Sequence, residues 1–234
     1  DEAMRYQIVD YIMRHGKLPG GYDAEIRDPN WGISYAFYPI TTYIAGAVFG
    51  KIATLFSSSG MAPIYGARLV NVILGTITAG LNLKIGKMLF EKRMAWFYTI
   101  LICFLPGTIF FNSYVNMDAL GLCASSWIVL CWGKAVKNDW SVKLCVELGA
   151  AISFCALSYF NAYGYILCSI LFFCTTMLLC GRKKWDVKRM IQLGLVVTAV
   201  VAVLAGWWFI RNAVLYDGDF IGRSTCAKYS EMYA

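Results

Sequence analysis

The chain has 234 residues, 59% of them hydrophobic and 15% charged, with a mean hydropathy of +0.57. Soluble domains run at roughly 45–50% apolar and 25% charged, so a soluble globular class is excluded and an integral membrane protein is expected. The net charge of +7 sits in short clusters between apolar runs, which reports membrane topology and argues against a nucleic-acid partner.

The chain opens on Asp1-Glu2 at a place where emergence from a preceding transmembrane helix is expected, so it reads as a piece of a longer protein. From Asp1 to His15 the apolar residues Met4, Ile8, Tyr11 and Ile12 alternate with Arg5, Gln7, Asp10 and Arg14, the pattern of a surface helix at a membrane interface. Gly16 would end it, with His15 in the last turn, where a partial positive charge suits the helix dipole. Lys17 to Trp31 reads as a loop from its Gly, Pro and acidic content. Gly32 to Phe56 is apolar and rich in aromatics, and two readings stay open: a full span, or a helix lying in the headgroup layer.

From Pro63 onward six spans are expected: Ile64–Ile85, Ala95–Phe111, Ala119–Ala135, Leu144–Tyr159, Tyr163–Cys180 and Met190–Ile210. The division is therefore 1–62 as a first external loop with interfacial and juxtamembrane helices, 63–210 as six transmembrane helices, and 211–234 as the start of a further external segment. Basic residues fill alternate loops: Lys84, Lys87, Lys92 and Arg93, then Lys134, Lys137 and Lys143, then Arg182, Lys183, Lys184, Lys188 and Arg189. By the positive-inside rule these loops are cytoplasmic, which leaves 112–118, Asn161 and the tail from Arg211 outside.

Nine cysteines lie almost all within apolar runs, without Cys-x-x-Cys pairs, and His15 is the single histidine. They read as small core residues, with no metal or disulfide framework. Chemistry therefore falls to carboxylates and cations at helix ends: Asp1, Glu2 and Asp118 as acid-base candidates, with Arg68, Asn71, Arg211 and Asn212 beside them and Glu147 inside a span. The plainer readings are an i, i+4 ion pair between Asp1 and Arg5 and a helix N-cap at Asp118.

The order of these features resembles the GT-C membrane glycosyltransferases, the group that includes protein O-mannosyltransferases and aminoarabinose transferases. The residues that carry the resemblance are DEAMRYQIVDYIMRHG heading the first external loop, YAFYPITTYIAGAVFG as its juxtamembrane helix, YGARLVNVILG opening the next span, NSYVNMDALG as the second external loop and WWFIRNAVLYDGD where the last span emerges. Tyr38 precedes Pro39 where aminoarabinose transferases carry Lys, and Asn161-Ala162-Tyr163-Gly164 replaces another of their lysines, which points towards other bacterial GT-C relatives.

The resemblance implies a polytopic all-α bundle, a first transmembrane helix before Asp1, and Gly32–Phe56 within the external loop. It implies a multi-pass plasma-membrane enzyme that transfers a sugar from a polyprenyl-phosphate donor to a glycan, lipid or protein acceptor on the extracytoplasmic face. The transfer would invert the anomeric carbon, with Asp1 as base, Glu2 beside it, and Asp118 holding the acceptor or, with Asp1, a divalent cation. Arg5, Tyr38, Arg68, Asn161, Arg211 and Asn212 would bind substrate. On this reading the piece alone is inactive. A transporter or flippase of lipid-linked saccharides is the rival class and would set its ionisable residues on broken helices near the bilayer midplane. A noncatalytic membrane subunit would leave the carboxylates unclustered.

Overall fold

A computed structural model describes residues 2–29, 32–180 and 185–233. Asp1, the expected base, lies outside the described residues, as do Trp31 and the basic residues Arg182, Lys183 and Lys184. The described chain is helical and contains no strand. Its helices are α1 (Glu2–His15), α2 (Thr41–Phe56), α3 (Ala62–Leu89), α4 (Lys92–Cys103), α5 (Pro106–Ser113), α6 (Asp118–Asn138), α7 (Val142–Ala156), α8 (Gly164–Thr175), α9 (Val187–Leu215) and α10 (Arg223–Tyr233).

The all-α polytopic class is what the sequence leads one to expect. Four stretches are long and apolar enough to cross a membrane, namely Ala62–Leu89, Asp118–Asn138, Phe160–Leu179 and Val187–Leu215. A fifth exists if α4 and α5, bent by 60°, count as one broken span. The bend falls at Pro106, which lacks an N–H and whose ring crowds the preceding turn.

Six spans are expected from the sequence, and the shortfall lies at α7. Its 15 residues make about 22 Å at 1.5 Å per residue, short of a hydrocarbon core of about 30 Å. Similarly, of the apolar run 32–56 only Thr41–Phe56 is α-helical, after a single 3-10 turn at Tyr35–Phe37, because Pro39 holds Tyr38 extended at φ −88° and ψ 165°. The resulting 16-residue helix is about 24 Å long, too short for a full span.

The chain folds as two compact units. The first takes Asp1–Leu74, Phe110–Ala119 and Trp207–Ala234. In it α1 ends as expected: Gly16 adopts φ +65° and its N–H returns to the Ile12 carbonyl at 2.9 Å. Arg14 binds Asp10 at 2.7 Å and also Glu25, and the His15 ring sits 3.0 Å from Glu25. Small residues then bring the helices together. A Cβ on Gly46 would press on Val9 at 3.3 Å and Ala67 at 3.4 Å, and one on Gly50 would meet the Met13 sulfur at 2.9 Å and the Pro63 carbonyl at 3.2 Å. The Gly46-x-x-x-Gly50 face of α2 thus lets both α1 and the start of α3 approach its backbone.

The second unit takes Gly75–Ile109 and Leu120–Gly206. Ile128, Cys131, Leu148, Ile152, Cys155 and Phe173 fill its core. Cysteines 131, 145 and 155 are wholly buried, in keeping with a packing role, and the eight cysteines with described side chains are free thiols. Glu147 accepts from Lys134 at 2.5 Å and from the Trp127 indole at 3.1 Å, so this carboxylate in an apolar helix is paired. Arg189 ties the turn before α7, donating to Asp139 at 3.1 Å and to the Trp140 carbonyl at 2.6 Å.

Candidate functional site

Four of the sequence candidates meet in the first unit. The buried face of α1 is Arg5, Ile8, Val9 and Tyr11, not the stripe of Met4, Ile8, Tyr11 and Ile12 that alternation suggests. Arg5 turns inward because partners wait there. Its Nη1 donates to Asp118 Oδ2 at 3.1 Å, and its guanidinium lies 4.5 Å from the centre of the Tyr35 ring and 5.8 Å from that of Tyr114. A buried guanidinium is tolerated when a carboxylate and aromatic faces replace water in this way.

Glu2, one turn earlier, is committed on both oxygens. Arg68 grips it with Nε at 2.8 Å and Nη2 at 2.6 Å, and the Val115 N–H donates to it at 2.8 Å. The Arg68 hydrogen bond pulls its carboxyl below the usual carboxylate range, aided by Val115 and opposed by burial. A fully engaged, weakly basic carboxylate is a poor proton acceptor. Held in this way, it joins α1, α3 and the loop before α6.

Asp118 stands differently. The N-cap reading does not hold, since Asn116 Oδ1 takes the Ala119 N–H at 2.9 Å. Asn116 is itself fixed by its amide, which donates to the carbonyls of Phe111 at 2.7 Å and Tyr114 at 2.9 Å. Asn71 adds bonds to the Tyr114 and Asn116 carbonyls at 2.5 and 3.2 Å. The loop is thus held rigidly while the Asp118 side chain stays 16% exposed, with Oδ1 taking no hydrogen bond among the described residues. Arg68 likewise keeps Nη1 unused there, on a side chain 33% exposed. One carboxylate oxygen and one guanidinium nitrogen are therefore left without a hydrogen bond among the described residues.

No group of three or more His, Cys, Asp or Glu side chains gathers among the described residues. With Arg5 on Oδ2, Asp118 brings a cation to its surroundings already, so the described residues do not fit a divalent metal there.

The other candidates sit elsewhere. Arg211 donates from Nη2 to the Pro19 carbonyl at 2.6 Å and stacks 4.9 Å over Trp208, while its Nη1 is buried without a hydrogen bond among the described residues. Asn212 is fully buried, with neither amide atom hydrogen-bonded among the described residues. Tyr38 packs beside the Phe37, Tyr216 and Cys226 cluster, and its ring lies 5.8 Å from that of Tyr35, which faces Arg5. Asn161 is exposed and belongs to the second unit. The sequence reading gives no role to Tyr35, Tyr114 or Asn116. For Tyr114 and Asn116 the signal was present in NSYVNMDALG as polar and aromatic residues around Asp118, whereas Tyr35 stands in a separate aromatic stretch, YAFYPITTYIAGAVFG.

The family model described as predicted membrane protein DUF2142 matches residues 23–216, most of the chain. The chain belongs to the DUF2142 family. In this DUF2142 chain Arg68 and Asp118 lie within the matched range, and Glu2 and Arg5 precede it. No curated protein and no solved structure matches the chain.

Proposed function

We propose that the chain forms the catalytic face of a membrane glycosyltransferase that moves a sugar from a polyprenyl-phosphate donor to an acceptor hydroxyl outside the cytoplasm. The observation that carries this reading is the joining of α1 to the first turn of α6 by Arg5–Asp118 at 3.1 Å, which leaves Asp118 Oδ1 and Arg68 Nη1 without a hydrogen bond among the described residues. The basic loops are segments of the second unit, whereas the uncharged residues 112–117 belong to the first, which suits an extracytoplasmic site.

In this mechanism Asp118 Oδ1 accepts the proton of the acceptor hydroxyl as its oxygen attacks the anomeric carbon. The bond from that carbon to the phosphate oxygen breaks, and polyprenyl phosphate leaves with the electron pair. Arg68 Nη1 meets the charge that grows on the phosphate. Attack from the side opposite the leaving group inverts the anomeric carbon. Asp1 keeps its place as a further candidate base, outside the described residues. The transport reading gains nothing from the bend at Pro106, since the only charged residues from Lys92 to Ser113 are Lys92 and Arg93 at its far end.

The test uses the full-length protein in liposomes with sugar-labelled polyprenyl-phosphate hexose and pentose donors. Label leaving the lipid together with release of polyprenyl phosphate is expected, and Arg68→Ala raises the donor KM about tenfold, as loss of one charge-assisted hydrogen bond would. Failure of both donors to turn over would overturn the reading.

A further inference from the structure

Within the first unit, apart from the Asp118 cluster, lies a cavity of about 340 Å³ lined by Tyr22, Tyr216, Asp217, Asp219, Ser224, Thr225, Lys228, Tyr229 and Met232. This volume falls in the range of small-ligand sites. The wall is a rigid aromatic block. Tyr22 meets Phe37, Tyr216 and Tyr229 edge-on, with ring centroids 5.7, 5.5 and 5.3 Å away, the arrangement in which aromatic quadrupoles attract. The Tyr216 hydroxyl accepts the Gly21 N–H at 2.9 Å, and Arg27 donates to the Tyr229 hydroxyl at 3.2 Å. Yet Tyr22 remains 47% exposed, a large apolar ring held by its neighbours and offered outward.

The polar residues divide into two kinds. Asp219 is spent on structure: Thr225 gives it both N–H and hydroxyl, at 2.8 and 2.9 Å, and Gly222 gives its N–H at 2.9 Å, which fixes the start of α10. Asp217, Ser224 and Lys228 are exposed and make no side-chain hydrogen bond among the described residues. Asp217 is moreover held at φ +49° in the turn that closes α9, where the Gly218 N–H reaches back to the Ala213 carbonyl at 2.8 Å. Glycine is the usual residue at such a left-handed helix end, with Asn and Asp the side chains that tolerate it best. The turn sets a carboxylate at the cavity edge.

We propose that this cavity binds a neutral saccharide unit, its ring against Tyr22 and its hydroxyls shared by Asp217, Ser224 and Lys228. A sugar hydroxyl both donates and accepts, which matches a carboxylate, a hydroxyl and an ammonium set together. The weakly positive C–H edge of a pyranose suits the negative face of an aromatic ring. Two carboxylates against one ammonium leave an excess negative charge on the wall, which disfavours phosphates and acidic sugars. The edge-on rings offer a single platform and no parallel pair to sandwich a planar base. The binding site requires no chemistry at Asp118, so it goes beyond the transfer reading and can fail separately from it.

The experiment is saturation-transfer NMR on the full chain in lipid nanodiscs, with cellotetraose, mannotetraose and chitotetraose as probes and sialyllactose and glucose 6-phosphate as anionic controls. At least one neutral probe should show transfer. Tyr22→Ala should abolish it, and Asp217→Asn, which keeps a residue tolerant of the left-handed turn, should weaken it about tenfold, while Asp118→Asn leaves it unchanged. Thermal melting of Asp217→Asn and Ser224→Ala establishes that loss of binding is not loss of fold. The proposal is overturned if no neutral probe binds, if an anionic control binds better, if Asp118→Asn abolishes binding, or if the Tyr22 and Asp217 variants bind as the parent does.

Discussion

At the residue scale, the difference between Glu2 and Asp118 is one of hydrogen-bond occupancy. Glu2 is saturated by Arg68 and Val115, whereas Asp118 spends one oxygen on Arg5. The consequence for Glu2 is a pH dependence with a definite sign. Its folded carboxyl is depressed, so the native state binds fewer protons than the unfolded chain as acid is added, and its contribution is complete only above the ordinary glutamate pKa of about 4.3. Stability from this residue is lost as pH falls from there through the lower folded value. Melting curves of the wild type and Glu2→Gln should therefore differ most at neutral pH and converge on acidification. A gap that is constant with pH would contradict the pairing. In the sequence, Glu2, Arg5, Arg68 and Asp118 could be picked out as charges at the ends of apolar segments, but their partners could not. The local alternative for Arg5 was an i, i+4 pair, whereas the observed partner is 113 residues away, and periodicity carries no information on such a contact.

At the scale of elements, composition and apolar runs made the helices legible, and their ends were set by features of one or two residues. Gly16 ends α1, Pro39 delays α2 until Thr41, and Pro106 bends α4–α5. The shortness of α7 was harder to read, because Leu144–Tyr159 is apolar apart from Glu147, Ser153 and Ser158 while the helix stops at Ala156. Close helix packing supplies a stability prediction. Gly66 on α3 lies against the Phe49 backbone of α2, closely enough that an added Cβ would collide with that carbonyl. Gly66→Ala should lower stability by about 1–3 kcal/mol, the usual cost of overpacking against atoms that cannot swing aside. Gly80→Ala, where nothing lies within 4 Å, should be neutral or stabilising, as alanine is favoured over glycine within a helix. Thermal melts of both variants in the same detergent decide the matter, and equal melting temperatures would remove Gly66 from the account of how α2 and α3 are brought together.

For the whole molecule, the chain divides into two compact units. Residues 1–62, 112–118 and 211–234, expected on one side of the membrane, fall in the first unit, and Asn161 is the expected member that does not. The fold class and the choice of Glu2, Arg5, Arg68 and Asp118 as candidates were within reach of the sequence, but which of them pair was not. The aromatic surroundings of Arg5 and the cavity beside Tyr22 were not, since both depend on rings brought together from distant segments. The central claim is that Asp118 Oδ1 takes the acceptor proton. Its most direct measurement is sugar transfer by Asp118→Asn and the wild type in matched liposomes. The asparagine carbonyl can still accept from Arg5, so the fold should persist, to be verified by unchanged elution and melting. The account predicts that kcat falls at least about a hundredfold, the usual worth of a positioned base, with the donor KM little changed. Turnover within about twofold of the wild type would contradict it and leave Asp118 as an anchor for Arg5.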